Sequence, residues 1–162
     1  MQLSPHFSLR EMARTDHRRY AEQNLEEAQQ PAILRALTAW CNTIGEPLRQ
    51  RFGRPVVMHS GFRCAPLNRA IGGAKGSQHL RGEAGDLHVS GVGLTEVWHW
   101  LSNSGIPFGQ LILEGYVGGE PSWVHVSLGA PWRAPSRCGE VMAAEVDQAT
   151  GRAVYRLVRR VR

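Results

Sequence analysis

The stretch Ser77-Gln-His-Leu-Arg-Gly-Glu-Ala-Gly-Asp86 decides how the rest of this chain is read. It holds a histidine, two glycines and two carboxylates, and the alternating run Asp86-Leu-His-Val-Ser90 that starts at its last residue predicts a strand. His79 and Asp86 stand seven positions apart, too far for one helical turn. Gly82 and Gly85 allow the backbone between them to fold back, so a tight loop can bring both side chains to one point. Asp86 then opens the strand, which holds it rigidly.

Working outward, Leu94 to Asn103 has helical spacing, with Leu94, Val97, Trp98 and Leu101 on one face and Gly105 as the stop. Gln110-Leu-Ile-Leu-Glu114 and Trp123-Val-His-Val-Ser127 predict an antiparallel hairpin across a glycine-rich loop. A second hairpin is predicted from Glu140–Val146 and the run starting at Ala153, on either side of Asp147 to Arg152. Upstream, Ser8 and Glu11 form a capping-box pattern that starts a short helix, followed by a polar stretch from Arg14 to Gln30. Pro31 suits the first turn of a longer helix, whose buried face runs through Ile33, Leu37, Trp40, Ile44, Leu48 and Phe52. Pro47 kinks or restarts that helix, and Gly53 ends it. Pro55 to Ser60 is a β-branched strand. From Gly61 to Gly85 the chain is a long glycine-rich loop with one helical turn near Leu67 to Ile71, and loops of that length inside a domain are usually functional. The expected fold is a single α+β domain over 1–162, with a helical part (1–53) before a mostly antiparallel sheet that carries the metal site (54–162).

At 162 residues and 42% hydrophobic content the chain suits one globular domain. No apolar run approaches the roughly 20 residues that span a bilayer. The N-terminus shows neither the basic nor the apolar region of a signal peptide, so synthesis in the cytoplasm, with later release to the place of action, is expected. Cys41, Cys64 and Cys138 are odd in number and form no CxxC pair, which argues against a disulfide framework and against a thiolate metal site. The net charge of +5 and a pI near 9.7 favour anionic partners such as an acidic cell wall. No nucleic-acid motif accompanies the charge, so nucleic acid is not expected as a partner.

On the Trp123–Ser127 strand, His125 shares a face with Trp123 and Ser127, while Val124 and Val126 face the other way. His79, Asp86 and His125 together are a donor set for one Zn²⁺ ion. Catalytic zinc takes three nitrogen or oxygen ligands and keeps one position open. Two neutral imidazoles and one carboxylate leave about +1 on the ion, enough to acidify a water towards neutrality.

These residues closely resemble the zinc D-alanyl-D-alanine carboxypeptidase-type peptidases of bacteria and their phages, including L-alanyl-D-glutamate endolysins; Hedgehog signalling domains share that fold. The resemblance rests on Ser60-Gly-Phe-Arg63, Asn68, Ser77 to Asp86, Gln110 to Glu114 and Trp123 to Ser127, with Phe7 to Met12 and Arg49 to Gly53 similar to the family's opening. It implies a Hedgehog-like zinc fold, a zinc peptidase acting on peptidoglycan stem or crosslink peptides as a carboxypeptidase or endopeptidase, and His79, Asp86 and His125 as ligands.

The resemblance also frames the remaining site. Many members carry a glutamate three residues before the last histidine, where this chain has Ser122. Glu114, at the end of a strand next to that of His125, is the preferred general base, because a base needs hydrogen-bond reach and a strand positions it firmly. Glu120, in the Gly115 to Ser122 loop, is the alternative. The resemblance gives Arg63 the task of holding a substrate carboxylate, for which a guanidinium is suited. Ser77 is a candidate substrate contact, Asn68 a candidate substrate contact or loop brace, and Gln110 a support from behind. His88 shares the face of Asp86 and is either a rival ligand or a neighbour. A monomer is expected. Two rival readings are a catalytically inactive zinc-stabilised wall-binding or structural module and, on charge alone, a nucleic-acid binder.

Overall fold

The computed structural model describes residues 1–115, 120–129, 132, 138–146 and 153–161. Two short strands, β1 (Gln2–Ser4) and β2 (Phe7–Ser8), pair with each other ahead of helices α1 (Leu9–Met12), α2 (Ala21–Glu27), α3 (Pro31–Trp40) and α4 (Glu46–Phe52). The chain then runs through β3 (Val56–Ser60), α5 (Ala65–Ala70), a 3₁₀ turn (Gln78–Arg81), β4 (Ala84–Val89) and α6 (Leu94–Asn103). It ends in β5 (Phe108–Glu114), β6 (Trp123–Leu128), β7 (Glu140–Val146) and β8 (Ala153–Arg160). The mostly antiparallel α+β architecture is the one expected. No helix among the described residues is long and apolar enough to cross a membrane.

Six strands form one sheet in the order β3-β4-β6-β5-β7-β8. All neighbours are antiparallel except β5 and β7, which run parallel. On one face Leu87, Val89, Val124 and Val126 are buried in a core they share with Trp40, Val97 and Leu101. The other face carries a row of register partners, Ser60–Asp86–His125–Ile112–Met142, one from each of five adjacent strands. Period-2 alternation therefore separates the core from the chemistry.

The long helix expected from Pro31 to Gly53 is two helices joined by a π-turn over Cys41–Gly45. Pro47 has no N–H to give to an intrahelical bond, and it sits in the first turn of α4, where none is required. Gly53 closes α4 in the left-handed conformation, with φ 60°. Ser8 and Glu11 make the predicted capping box at α1. In contrast, α2 falls inside a stretch read as polar connection. Its one fully buried side chain is Asn24, a polar residue that apolar periodicity does not register.

Two further readings need correction. Asp86 is the third residue of β4 and does not open it. Gly82 turns the chain as expected, with φ 69°, but Gly85 lies within β4 and its lack of a side chain serves packing. A Cβ there would sit 2.5 Å from Trp40 Cζ2 and 2.8 Å from Met58 Cε. The indole also donates to Val126 O at 2.9 Å, so α3 is fastened against both strands that carry sheet-borne ligands. The turn expected at Asp147 to Arg152 lies outside the described residues, while β7 and β8 on either side of it do pair antiparallel.

Candidate metal centre and cleft

His79 enters from the 3₁₀ turn, whereas Asp86 and His125 are opposite each other on β4 and β6. All three are buried, at 3%, 3% and 7% exposure. His79 Nε2 lies 3.2 Å from Asp86 Oδ1 and 3.2 Å from His125 Nδ1, and the last two atoms are 2.8 Å apart. The edge of a tetrahedron with bonds of about 2.0–2.1 Å is roughly 3.3 Å, so this triangle is close to one face of a zinc coordination shell. Among the described residues no other group of three histidines, cysteines or carboxylates converges in this way.

The surroundings prepare each donor. His79 Nδ1 donates to Gly61 O at 2.6 Å, which fixes the tautomer and leaves the Nε2 lone pair facing the centre. Burial pushes His79 below the usual imidazole range, so the ring stays neutral and able to ligate. Burial on its own would raise the Asp86 carboxyl. Its electrostatic interactions and hydrogen bonds with His79 and His125 outweigh that effect and hold it well below the usual carboxylate range. An ionised carboxylate between imidazoles is what a divalent cation requires.

Arg63 reaches the same point from the loop after β3. Its Nη2 donates to Asp86 Oδ2, its Nε donates to Ser60 Oγ at 2.7 Å, and Nη2 lies 3.2 Å from His79 Nε2. The loop that carries it is stapled by the unpredicted α2. Asn24 Nδ2 donates to Ala13 O and Phe62 O, and Asn24 Oδ1 accepts from the Cys64 amide. Asn24 is thus a supporting residue that sequence reading missed.

Glu114 closes β5 with its carboxylate only partly exposed, Oε1 lying 3.9 Å from His125 Nδ1 and accepting from Trp123 Nε1 at 3.2 Å. Glu120 is exposed and does not line the cleft. The cleft has a volume of about 590 Å³ and runs from the loop at 72–83 across Ile112 and Glu114 to Trp132, Met142 and Tyr155. Ser77 lines it, and its side chain makes no capping bond to the 3₁₀ turn. Asn68 is buried away from the cleft and donates to Ala74 O at 3.0 Å, the loop-bracing position. Gln110 lines the cleft and donates to Glu140 Oε2 at 3.2 Å. His88 stays out of the ligand triangle, its Nδ1 2.8 Å from His59 Nε2. Trp98 and Trp100 pack against the core.

This geometry can be set beside known proteins. The family model described as Peptidase M15 matches residues 5–127, about three quarters of the chain, and takes in His79, Asp86, Glu114 and His125. The chain belongs to the peptidase M15 family. Within the span matched to that family, the sheet row and the turn that feeds it supply every member of the triangle. A zinc D-Ala-D-Ala carboxypeptidase of Streptomyces albus G is 33% identical over 97 residues, which is 58% of this chain and 36% of that protein. The match thus spans about a third of the relative's length. Strands β7 and β8 lie beyond the family-matched segment.

Proposed function

We propose that this chain is a zinc-dependent peptidase that hydrolyses an amide bond in the peptide part of peptidoglycan. The observation that carries the reading is the buried His79–Asp86–His125 triangle opening onto a cleft beside the Glu114 carboxylate. Zinc bound by those three residues supplies Lewis acidity, which acidifies water and polarises a carbonyl. The zinc D-Ala-D-Ala carboxypeptidase named above lends support through its name alone, and membership of a peptidase family supports the reaction class.

Glu114 takes the proton of the attacking water and carries it to the leaving amine, the general-base role its reach to His125 suits. Trp123 holds Glu114 Oε1 by donating its indole N–H. Arg63 orients the substrate through a carboxylate, such as that of a terminal D-alanine or a D-glutamate, and Ser77 offers a hydroxyl from the loop side of the cleft. Of the two roles considered for Asn68, its bond to Ala74 O supports that of a brace behind this loop. The finer assignment, carboxypeptidase or endopeptidase and a phage lysis role, follows the resemblance of the Ser77–Asp86 motif.

The test is a digest of purified peptidoglycan and of one defined muropeptide by the zinc-loaded protein, read by mass spectrometry. New amine and carboxyl ends at a single amide bond are expected, and their position names the bond. A zinc-loaded protein that binds the wall and releases no ends would instead establish the inactive wall-binding module.

A further inference from the structure

Gln78 stands between the cleft-lining Ser77 and the ligand His79, and the chemistry proposed above gives it no task. It is buried, at 8% exposure, yet it lines the cleft. A glutamine in such a place has two ends to satisfy, an NH2 group and a carbonyl oxygen. The fold satisfies the first: Nε2 donates to Ser127 Oγ at 2.9 Å. Oε1 accepts nothing from the described residues. Nor is it walled in, because among the described residues the side-chain polar atoms both sealed from solvent and unpartnered are Asn68 Oδ1 and Trp98 Nε1. The open end of the carboxamide is an acceptor at the cleft wall.

Ser127 makes that orientation firm. It is fully buried on β6, two positions after His125, and register sets it opposite Ala84 of β4. Its oxygen also accepts from the Gln110 amide of β5 at 2.9 Å, so two donors use its two lone pairs. The main chain of Gln78 is fixed as well, since its carbonyl accepts from the Glu83 amide at 3.1 Å and closes the turn that delivers His79. An acceptor held this way loses little freedom when a ligand arrives.

A carbonyl oxygen selects a donor. It repels a carboxylate, the group given to Arg63, and an ester oxygen offers it nothing. An N–H fits, and a peptide carries one on each main-chain amide that is not prolyl. A residue that served only to brace the 3₁₀ turn would need the bond to Ser127 and no more, which leaves the open Oε1 without a purpose.

We propose that Gln78 is a specificity-determining residue whose Oε1 accepts a main-chain N–H of the bound peptide beside the metal centre. This deepens the peptidase reading and rests on it. The test is calorimetric binding to the zinc-loaded Glu114→Gln protein, which holds the defined muropeptide without turnover. Its ligands are the muropeptide and depsipeptide analogues in which each main-chain N–H outside the scissile amide is replaced in turn by an ester oxygen. In that background Gln78→Met weakens binding of the parent muropeptide roughly 10-fold and leaves zinc content unchanged. One analogue, itself weakened by about as much, loses nothing further. Ser127→Ala, which releases the carboxamide, gives a smaller loss confined to the same N–H. Unchanged affinity in Gln78→Met, or an equal loss across the parent and every analogue, overturns the proposal and leaves Gln78 a brace for the turn. Neither result touches the peptidase reading, which fails separately if the wild-type protein releases no new ends from the muropeptide. A muropeptide that does not bind at all overturns both.

Discussion

Asp86 and His125 are direct partners across the β4–β6 ladder, and Asp86 Oδ1 lies 2.8 Å from His125 Nδ1. Two ligands thus come already paired by sheet register, and only His79 has to be brought in by a loop. Zinc binding at one ion per chain is expected. Replacing Asp86 or His125 by alanine should weaken it by more than the roughly 10–100-fold that outer-shell changes cost. His88→Ala should leave it unchanged, because His88 lies with His59 and apart from the triangle. Metal content after dialysis, measured for the three variants, checks this.

Glu114 and Glu120 separate cleanly by position. Glu114→Gln is expected to keep zinc and lose turnover by about 10²–10⁴-fold, the range for a lost general base. Glu120→Ala should retain full activity, since that side chain is exposed and off the cleft. Steady-state rates on the muropeptide decide between them.

Asn24 is fully buried and holds three backbone groups, two of which, Phe62 O and the Cys64 amide, flank Arg63. Asn24→Ala should destabilise the protein by about 1–3 kcal/mol for each buried group left unpaired. It should also raise KM, because the loop presenting Arg63 loses its staple. Denaturant melts and substrate titration read the two effects separately.

Gly85→Ala tests the close approach of α3 to the metal-bearing strand. A Cβ there meets the Trp40 ring at 2.5 Å, and overpacking of this kind costs about 1–3 kcal/mol. A lowered thermal midpoint with reduced zinc affinity is expected, since Asp86 is the next residue.

The N-terminus is locked by Glu46, which accepts from Ser4 Oγ at 2.6 Å and from the His6 amide at 2.9 Å, with His6 Nδ1 2.7 Å away. Burial alone would raise this carboxyl; the bonds from Ser4 and His6 outweigh it and hold it below the usual value. With the folded pKa below the unfolded one, the stabilisation is complete above the usual carboxylate range and is lost as pH falls through the depressed value. Glu46→Gln should therefore melt lower than the parent near neutrality, with the gap narrowing as the solution is acidified below that range. A gap that stays constant with pH would exclude an ionised Glu46 as its cause.

The parts of this molecule legible in sequence are those where one residue type answers to one physical demand. Alternation separated Val124 and Val126 from His125, helical spacing gave α6 its bounds, and Pro31, Gly53 and the Ser8–Glu11 pair marked helix ends. The His79–Asp86–His125 convergence was legible because glycine-rich turns and strand faces are local properties. What escaped depends on contacts distant in sequence. α2 is held by a buried asparagine instead of an apolar stripe, Gly85 is explained by a tryptophan 45 positions earlier, and Tyr155 lines the same cleft as Glu114 only because β7 bypasses β6 to pair with β5.

That bypass also sets an order of assembly. β5 and β6 form a hairpin on their own, whereas β7 reaches the far edge of β5 only across a longer connection, and such non-local pairings form late. A chain leaving the ribosome has its last ligand at His125, 30 residues before Tyr155. Domains fold from the N-terminal side during synthesis. The expected order is therefore that the row through β3, β4, β6 and β5 forms before β7 and β8 add Met142 and Tyr155 to the cleft.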